Sequence, residues 1–348
     1  MKSAHVLFPF SSQEPSIPGH IFVQLLESDV LSEEAVARFR ALLVSEGVDF
    51  ATMRTPGAQA PMRWLRDAYP AIDVDQASFL GYFAGEQVRL TSYSLLSLPL
   101  VGASSVSEVL RLLEFIPLIS NAISARFFER SDAVLIMLTA NSGDLVLDRI
   151  PVFYCAAAIV HLLRILSGDP LDLTIHVACP QPPSLAGHPE CAAGRLRFNA
   201  PMHYIIVPRS TLEAVCRFSD PLAYQNAIAN LQTMMIGLGT PDEIAVRVKH
   251  LIDGGPGLLR IDEVAKHLNL SVSTLKRRLA ESGTNFSEIM ERTLRDRAML
   301  MLMDASMTLE AIGWALGYSD LANFSHAFKR WTGVAPGIFR RRSTGQWH

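Results

Sequence analysis

The sequence predicts a multidomain protein: an α+β (or α/β) domain over residues 1–238, a connecting stretch over 239–257, and an all-α domain over 258–348. Three observations predict it. Helix-like and strand-like patterns mix before residue 238. A glycine-rich run, Asp253-Gly254-Gly255-Pro256-Gly257, then interrupts the chain. Every periodic segment beyond it is helical, and one two-helix pattern occurs there twice. A chain of 348 residues is long enough for two or three domains.

In the first domain, Ser32 followed by Glu33 and Glu34 starts a helix that runs to Ser45. Residues 75–84 read as a short helix. Ser105 opens another, with Val106, Val109, Leu110, Leu113 and Ile116 at helical spacing. Residues 133–139 form an apolar run of strand length, and Asn141-Ser142-Gly143-Asp144 is a turn. Residues 145–149 are expected to return as its partner strand. Residues 152–166 have the length of a buried helix. Residues 171–178 and 204–207 read as strands, and the Pro- and Gly-rich stretch 179–193 between them reads as loop. Residues 241–252 are expected to form a connecting helix.

The repeated pattern begins at Leu259. Ile261, Val264, Ala265 and Leu268 make one apolar helical face, Asn269-Leu270 a tight turn, and Ser271 a cap for a second helix with Leu275 and Leu279 inward. In the second copy Leu309, Ile312, Ala315 and Leu316 form the face, with Gly313 in the place of Ala265, 48 residues earlier. Gly317 stops that helix, Ser319 or Asp320 caps the next, and Phe324, Phe328 and Trp331 point inward. The second turn has one extra residue. This is the pattern of a helix-turn-helix, whose second helix enters the major groove. The opposite faces carry donors suited to base edges and phosphates. The candidate DNA-contacting residues are Ser271, Ser273, Thr274, Lys276, Arg277 and Arg278 in the first unit, and Ser319, Asn323, Ser325, His326, Lys329 and Arg330 in the second. Residues 286–304 read as one joining helix of roughly 28 Å, against about 34 Å between successive major-groove faces. Two plain helical hairpins would share the periodicity, but two basic second helices and a fitting spacer favour DNA.

These residues resemble the AraC/XylS family of transcription regulators. The carrying stretches are Thr308-Leu309-Glu310-Ala311-Ile312-Gly313-Trp314-Ala315-Leu316-Gly317-Tyr318-Ser319, then Phe324, Ala327-Phe328-Lys329-Arg330-Trp331-Thr332-Gly333, Pro336 and Phe339-Arg340. In the first unit, residues 270–279 and Gly283-Thr284-Asn285-Phe286 are similar to the branch of ornithine-utilisation-type regulators. That branch also carries an arabinose-binding-like N-terminal domain, which residues 19–212 resemble more loosely. The resemblance implies double-stranded DNA as partner, RNA polymerase, a small-molecule effector, a homodimer, and a role as activator, with repression left open by the sequence. It makes residues 1–238 the effector-sensing and dimerisation domain. Two positions depart from the branch: Ala322 stands where a Ser is usual, and His326 where an Arg is usual. The second unit is therefore expected to read DNA less strongly.

Charge agrees with this division. Residues 258–348 hold 13 Lys+Arg and 9 Asp+Glu, a balance of +4, whereas the remainder is at −7. No apolar run reaches the ~18 residues of a membrane span, so no membrane partner is expected. Residues 1–9 make a poor signal peptide. Cys155, Cys179, Cys191 and Cys216 form no CxxC pair, which agrees with a reduced, cytoplasmic setting. His188, Cys191, Cys179 and His203 match no common zinc spacing. The carboxylate pairs Asp73/Asp75 and Asp144/Asp148 suit helix caps and turns better than catalysis. No phosphate loop or hydrolase motif occurs, so no cofactor is expected. Two other readings remain open: an enzyme with a DNA-binding tail, which lacks a catalytic constellation, and a regulator controlled by dimerisation or a protein partner without a ligand.

Overall fold

In a computed structural model of the chain, the first unit is organised by two helices that meet almost backbone to backbone. Val74–Glu86 begins with a capping box: Gln76 N donates to Asp73 Oδ1 at 2.8 Å, and Asp73 N donates to Gln76 Oε1 at 3.1 Å. Its Ala77, Gly81, Ala84 and Gly85 line the seam against Arg149–Ser167. A β-carbon on Gly81 would stand 2.4 Å from the Ile150 carbonyl oxygen, and one on Gly85 2.4 Å from that of Tyr154. The structure describes residues 14–27, 31–55, 57–130, 132–168, 171–238, 244–254, 259–304 and 306–344. The chain divides into two units, Met1–Met235 and Ile236–His348. Arg149–Ser167 is long and apolar enough to cross a membrane by composition, but most of it is buried in the first unit as its core helix.

β1 (Ser16–Pro18) and β2 (Gln59–Pro61) form a small antiparallel ladder. β3 (Ile123–Glu129), β4 (Ala133–Ala140), β5 (Thr174–His176), β6 (Leu196–Arg197) and β7 (His203–Pro208) form a five-stranded sheet in the order β3-β4-β7-β5-β6. All its neighbours are antiparallel except β5 and β6. Alternate residues Ile136, Leu138, Ile205 and Val207 join the main core with Phe153 and Leu163 of the long helix. Helices around one mixed sheet make this an α/β unit.

The structure corrects several details of the sequence reading. Residues 145–149 are not a strand. The Asp144 carboxylate accepts from Val146 N and Leu147 N and is gripped by Arg66 at 2.7 Å, so the turn runs straight into the long helix. The partners of β4 are β3 and β7 instead. The expected strand 171–178 is ordered as strand only over Thr174–His176. The helix opened by Ser105 changes at Leu112 into a seven-residue 3-10 helix, Leu112–Leu118. The loop 179–193 contains two short helical turns, Pro183–Leu185 and Pro189–Ala192.

Among the described residues of the second unit, seven helices share one core: Ile244–Gly254, Ile261–His267, Val272–Glu281, Phe286–Leu302, Leu309–Ala315, Leu321–Thr332 and Pro336–Thr344. The first was expected as a connector, yet Ile244, Val248 and Ile252, at i, i+4 and i+8, are fully buried in that core. Asp253 and Gly254, read as linker, complete its last turn; residues 239–243 and 255–258 lie outside the described residues.

Candidate nucleic-acid interface

The two helix-turn-helix units are built by the same hydrogen bonds at a constant offset. Leu270 N donates to the Ala265 carbonyl and Tyr318 N to the Gly313 carbonyl, both at 2.9 Å. The turn residues Asn269 (φ 54°) and Gly317 (φ 87°) are both left-handed, as a helix-ending residue of this motif requires. Gly313 lies against the Phe324 side chain, where a β-carbon would already touch at 3.4 Å, so a small residue is needed at this crossing. The extra residue of the second turn then moves the cap from offset 48 to 49: Ser271 Oγ accepts from Thr274 N at 3.1 Å, and Asp320 Oδ1 from Asn323 N at 2.7 Å. Asp320, not Ser319, is the cap.

Both second helices are pinned by buried residues at matching positions, Leu275 and Leu279 in one, Phe324 and Phe328 in the other, all fully buried. Burial of this kind contributes about 1.5–3 kcal/mol per side chain. Phe286–Leu302 joins the units. Its Asn285 and Glu288 form a capping box, and Met290, Leu294, Ala298 and Leu302 enter the shared core. Its 17 residues span about 26 Å.

The outward faces carry the candidate residues unequally. In the first helix Ser273, Lys276 and Arg277 are exposed, while Thr274 and Arg278 are partly buried. Ser271 and Thr274 are tied to each other through their hydroxyls at 2.8 Å. Arg277 Nη1 donates to Glu281 Oε1 at 2.7 Å. In the second helix Asn323, His326, Lys329 and Arg330 are exposed and Ser325 is partly buried. The Asn323 amide donates to Asp320 Oδ2 at 2.7 Å, and the Ser319 hydroxyl donates to the same carboxylate oxygen at 3.1 Å. Arg330 is paired with Glu291 of the joining helix. Three candidates, Ser271, Ser319 and Asn323, thus spend side-chain bonds on the caps. The carboxylates that hold Arg277 and Arg330 escaped the sequence reading; an i,i+4 spacing signals Glu281, but nothing local signals Glu291. Exposed Arg341 and Arg342 on the last helix extend the basic surface.

Asp320 tests the second cap. Hydrogen bonds from Asn323 N, its amide and Ser319 hold this carboxylate below the usual range. Asp320→Ala is expected to lower the stability of this unit by loss of the cap, read as a lower thermal midpoint. Asp320→Asn should retain most of it, and an unchanged midpoint for the alanine variant would contradict the cap.

The histidines, cysteines and paired carboxylates of the first unit serve structure. Glu190 accepts from Arg164 and from Arg195 at 2.5 Å, and His188 Nε2 lies 3.1 Å from Glu86. His203 Nδ1 accepts from Ala178 N at 3.2 Å. Asp148 accepts from the Ser142 N–H at 2.9 Å. The four cysteines are unbridged, and burial pushes their thiols up, that of Cys155 to about 12. Among the described residues no three His, Cys, Asp or Glu side chains gather to hold a metal.

Residues 264–342 match the family described as "Helix-turn-helix domain", and residues 37–215 match "Arabinose-binding domain of AraC transcription regulator, N-term". The chain belongs to the AraC family of transcription regulators. This AraC-family chain is 26% identical over 186 residues to the ornithine utilization regulator of Pseudomonas aeruginosa, covering 53% of itself and 55% of that relative. It thus spans about half of that regulator's length. It is 26% identical over 274 residues to an uncharacterised HTH-type transcriptional regulator of Mycobacterium tuberculosis, covering 76% of itself and 78% of the relative. It is 31% identical over 141 residues to the HTH-type transcriptional regulator VqsM of P. aeruginosa, covering 38% and 42%. Among solved structures, the transcriptional regulator CdpR of P. aeruginosa aligns with 90% of this chain and all of its own, at 22% identity and a TM-score of 0.41. The family and these relatives are transcription regulators, not enzymes.

Proposed function

We propose that this AraC-type DNA-binding regulator is effector-responsive: the second unit reads an operator through both helix-turn-helix motifs, and the first unit binds a small molecule and pairs two copies of the chain. The observation that carries the DNA reading is the duplicated turn, with its two capped helices presenting exposed Lys and Arg from one core. Arg277, Ser273 and Lys276 face the bases in the first unit; Ser325 and His326 do so in the second, with Lys329 and Arg330 on phosphate. Thr274 and Arg278 support the first helix at the backbone, and Ser271, Ser319 and Asn323 act through the caps. The regulator works in the cytoplasm as a homodimer that meets RNA polymerase at the promoter and activates it. The ornithine utilization regulator's name supports regulation by a small metabolite.

Two outcomes are expected. Residues 241–348 alone should fold and bind fragments of the chain's own promoter region, with affinity falling steeply as salt rises, because Lys and Arg displace counterions from phosphates. A fragment begun at Leu259 should be less stable, since it lacks the buried Ile244, Val248 and Ile252. No binding by the folded longer fragment at low salt would refute the reading.

Arg277→Ala should flatten base preference at its half-site by about 1–3 kcal/mol, the usual worth of a bidentate arginine–guanine contact. His326→Ala should do so less, because a single imidazole offers no guanidinium fork. Binding to single-base operator variants measures both, and a larger loss from His326→Ala would show that the units are ranked wrongly.

A further inference from the structure

The first unit contains a cavity of about 80 Å³ between the long helix, the 3-10 helix Leu112–Leu118, and the helices Ser94–Gly102 and Val106–Arg111. Its wall is made of Leu, Ile, Val and Ala side chains, with no charged residue. The groups in it that can hydrogen-bond are Tyr93, Tyr154 and the protonated thiol of Cys155. Tyr93 Oη donates to Tyr154 Oη at 2.6 Å. The Tyr154 proton then has no acceptor among the described residues. A second unmatched polar atom, His20 Nε2, belongs to a ring packed edge-on against Tyr93, with centroids 4.9 Å apart. The tyrosine end of the cavity therefore has hydrogen-bonding capacity to spare.

This lining selects its ligand. A sugar would bury four or five hydroxyls against hydrocarbon, and each unmatched one carries a desolvation cost. An amino acid or carboxylate would bury charge with no counter-charge in the wall, which costs more. A neutral hydrocarbon-like molecule with one acceptor meets both the apolar wall and the free Tyr154 donor. The volume is about half that of an engineered apolar cavity of roughly 150 Å³ that admits benzene, so a ligand of six or seven heavy atoms enters as the wall gives. The wall includes a 3-10 run of seven residues, longer than such helices usually persist.

The same walls hold the root of the helix that leaves the unit, Pro221–Leu238. Asp220 N donates to the Gly102 carbonyl at 2.9 Å, and Tyr224 Oη to the Glu108 carbonyl at 3.0 Å. A β-carbon on Gly102 would stand 3.1 Å from the Asp220 carbonyl oxygen. Leu100 and Val109 thus share helices with the residues, Gly102 and Glu108, that hold the start of that helix.

Building on the effector-responsive reading above, we propose that this cavity is the effector site and that it takes a small neutral ligand with one hydrogen-bond acceptor, of the short-chain ketone or ester class, and not a sugar or a charged amino acid. The test titrates the full chain with 2-hexanone, hexane, hexanoate, L-arabinose and L-ornithine, following thermal midpoint and ligand-observed NMR, with operator affinity measured on the same samples. A ligand that binds only the folded state raises the midpoint. The expected result is saturable binding of 2-hexanone, at least tenfold tighter than hexanoate, and no shift from arabinose or ornithine. Tyr154→Phe should weaken 2-hexanone about tenfold and leave hexane unchanged; Ala158→Leu, which fills the cavity, should abolish both. If the filled variant fails to fold, Tyr154→Phe alone decides. Absence of 2-hexanone binding, tighter binding of hexanoate, arabinose or ornithine, or equal ketone binding by Tyr154→Phe would each overturn the site. Ketone binding that leaves operator affinity unchanged would uphold the site and overturn effector control. A metabolite that alters operator affinity in a chain that binds no ketone would do the reverse.

Discussion

Replacing Gly81 by alanine is expected to destabilise the first unit by about 3 kcal/mol, although Gly→Ala inside a helix normally gains up to about 1 kcal/mol. The added methyl would meet backbone, not a flexible side chain: the Ile150 carbonyl oxygen at 2.4 Å and its Cα at 2.9 Å. Relief requires the two central helices to separate, which opens the seam along Ala77, Ala84 and Gly85 and strips contacts from Phe153. Gly85→Ala should act alike, against the Tyr154 carbonyl oxygen and the Ala157 β-carbon. Denaturant midpoints of the whole chain give the answer. A gain in stability at Gly81 would mean that the helices do not approach this closely.

Acid should begin to weaken the first unit before its carboxylates titrate. Burial lowers His20, His176 and His203 to about 4 from the ordinary 6.5, with Arg197 adding to the effect at His176 and Arg149 at His203. Above pH 6.5 these rings are neutral whether folded or unfolded, so the full stability is present. Below it the unfolded chain takes up protons that the folded chain refuses, and stability is lost progressively down to pH 4. Each histidine accounts for up to about 3 kcal/mol over that window. Thermal midpoints between pH 7.5 and 5 should therefore fall, and a conservative His203→Gln variant should flatten the slope. A midpoint constant over that range would contradict the burial of these rings. Carboxylates cannot mimic the effect there, because those with resolved shifts, such as Glu190 and Asp144, lie below their usual range.

The helical unit was legible in the sequence because its signals are local. Each cap and the apolar face it opens fall within nine residues, from Ser271 to Leu279 and from Asp320 to Phe328. The sheet was less so. β3, Ile-Ser-Ala-Arg-Phe-Phe-Glu, offers no continuous apolar run and no clean alternation, so its register with β4 could not be read. The false strand at 145–149 arose because Leu145, Val146 and Leu147 follow a turn, while the contact that redirects them comes from Arg66, 78 residues away. The helix Ile244–Gly254 showed its periodicity but not its destination, which depends on packing with distant elements. Of the interface, the exposed cations were visible, whereas the engagement of Asn323 by Asp320 needed coordinates. The cavity was out of reach: Tyr93 and Tyr154 are 61 residues apart and meet only in the folded unit.

If Arg277 and Arg330 meet DNA as proposed, their ion pairs with Glu281 and Glu291 make recognition an exchange of partners. In the proposed complex each arginine leaves a carboxylate, and each released carboxylate then lies close to phosphates that repel it. At Arg277 a cognate guanine compensates and a random base does not, whereas any duplex offers Arg330 its phosphate. On that proposal random duplex is held more loosely at Arg277 than the count of basic residues implies. Glu281→Gln would trade that looseness for indiscriminate grip.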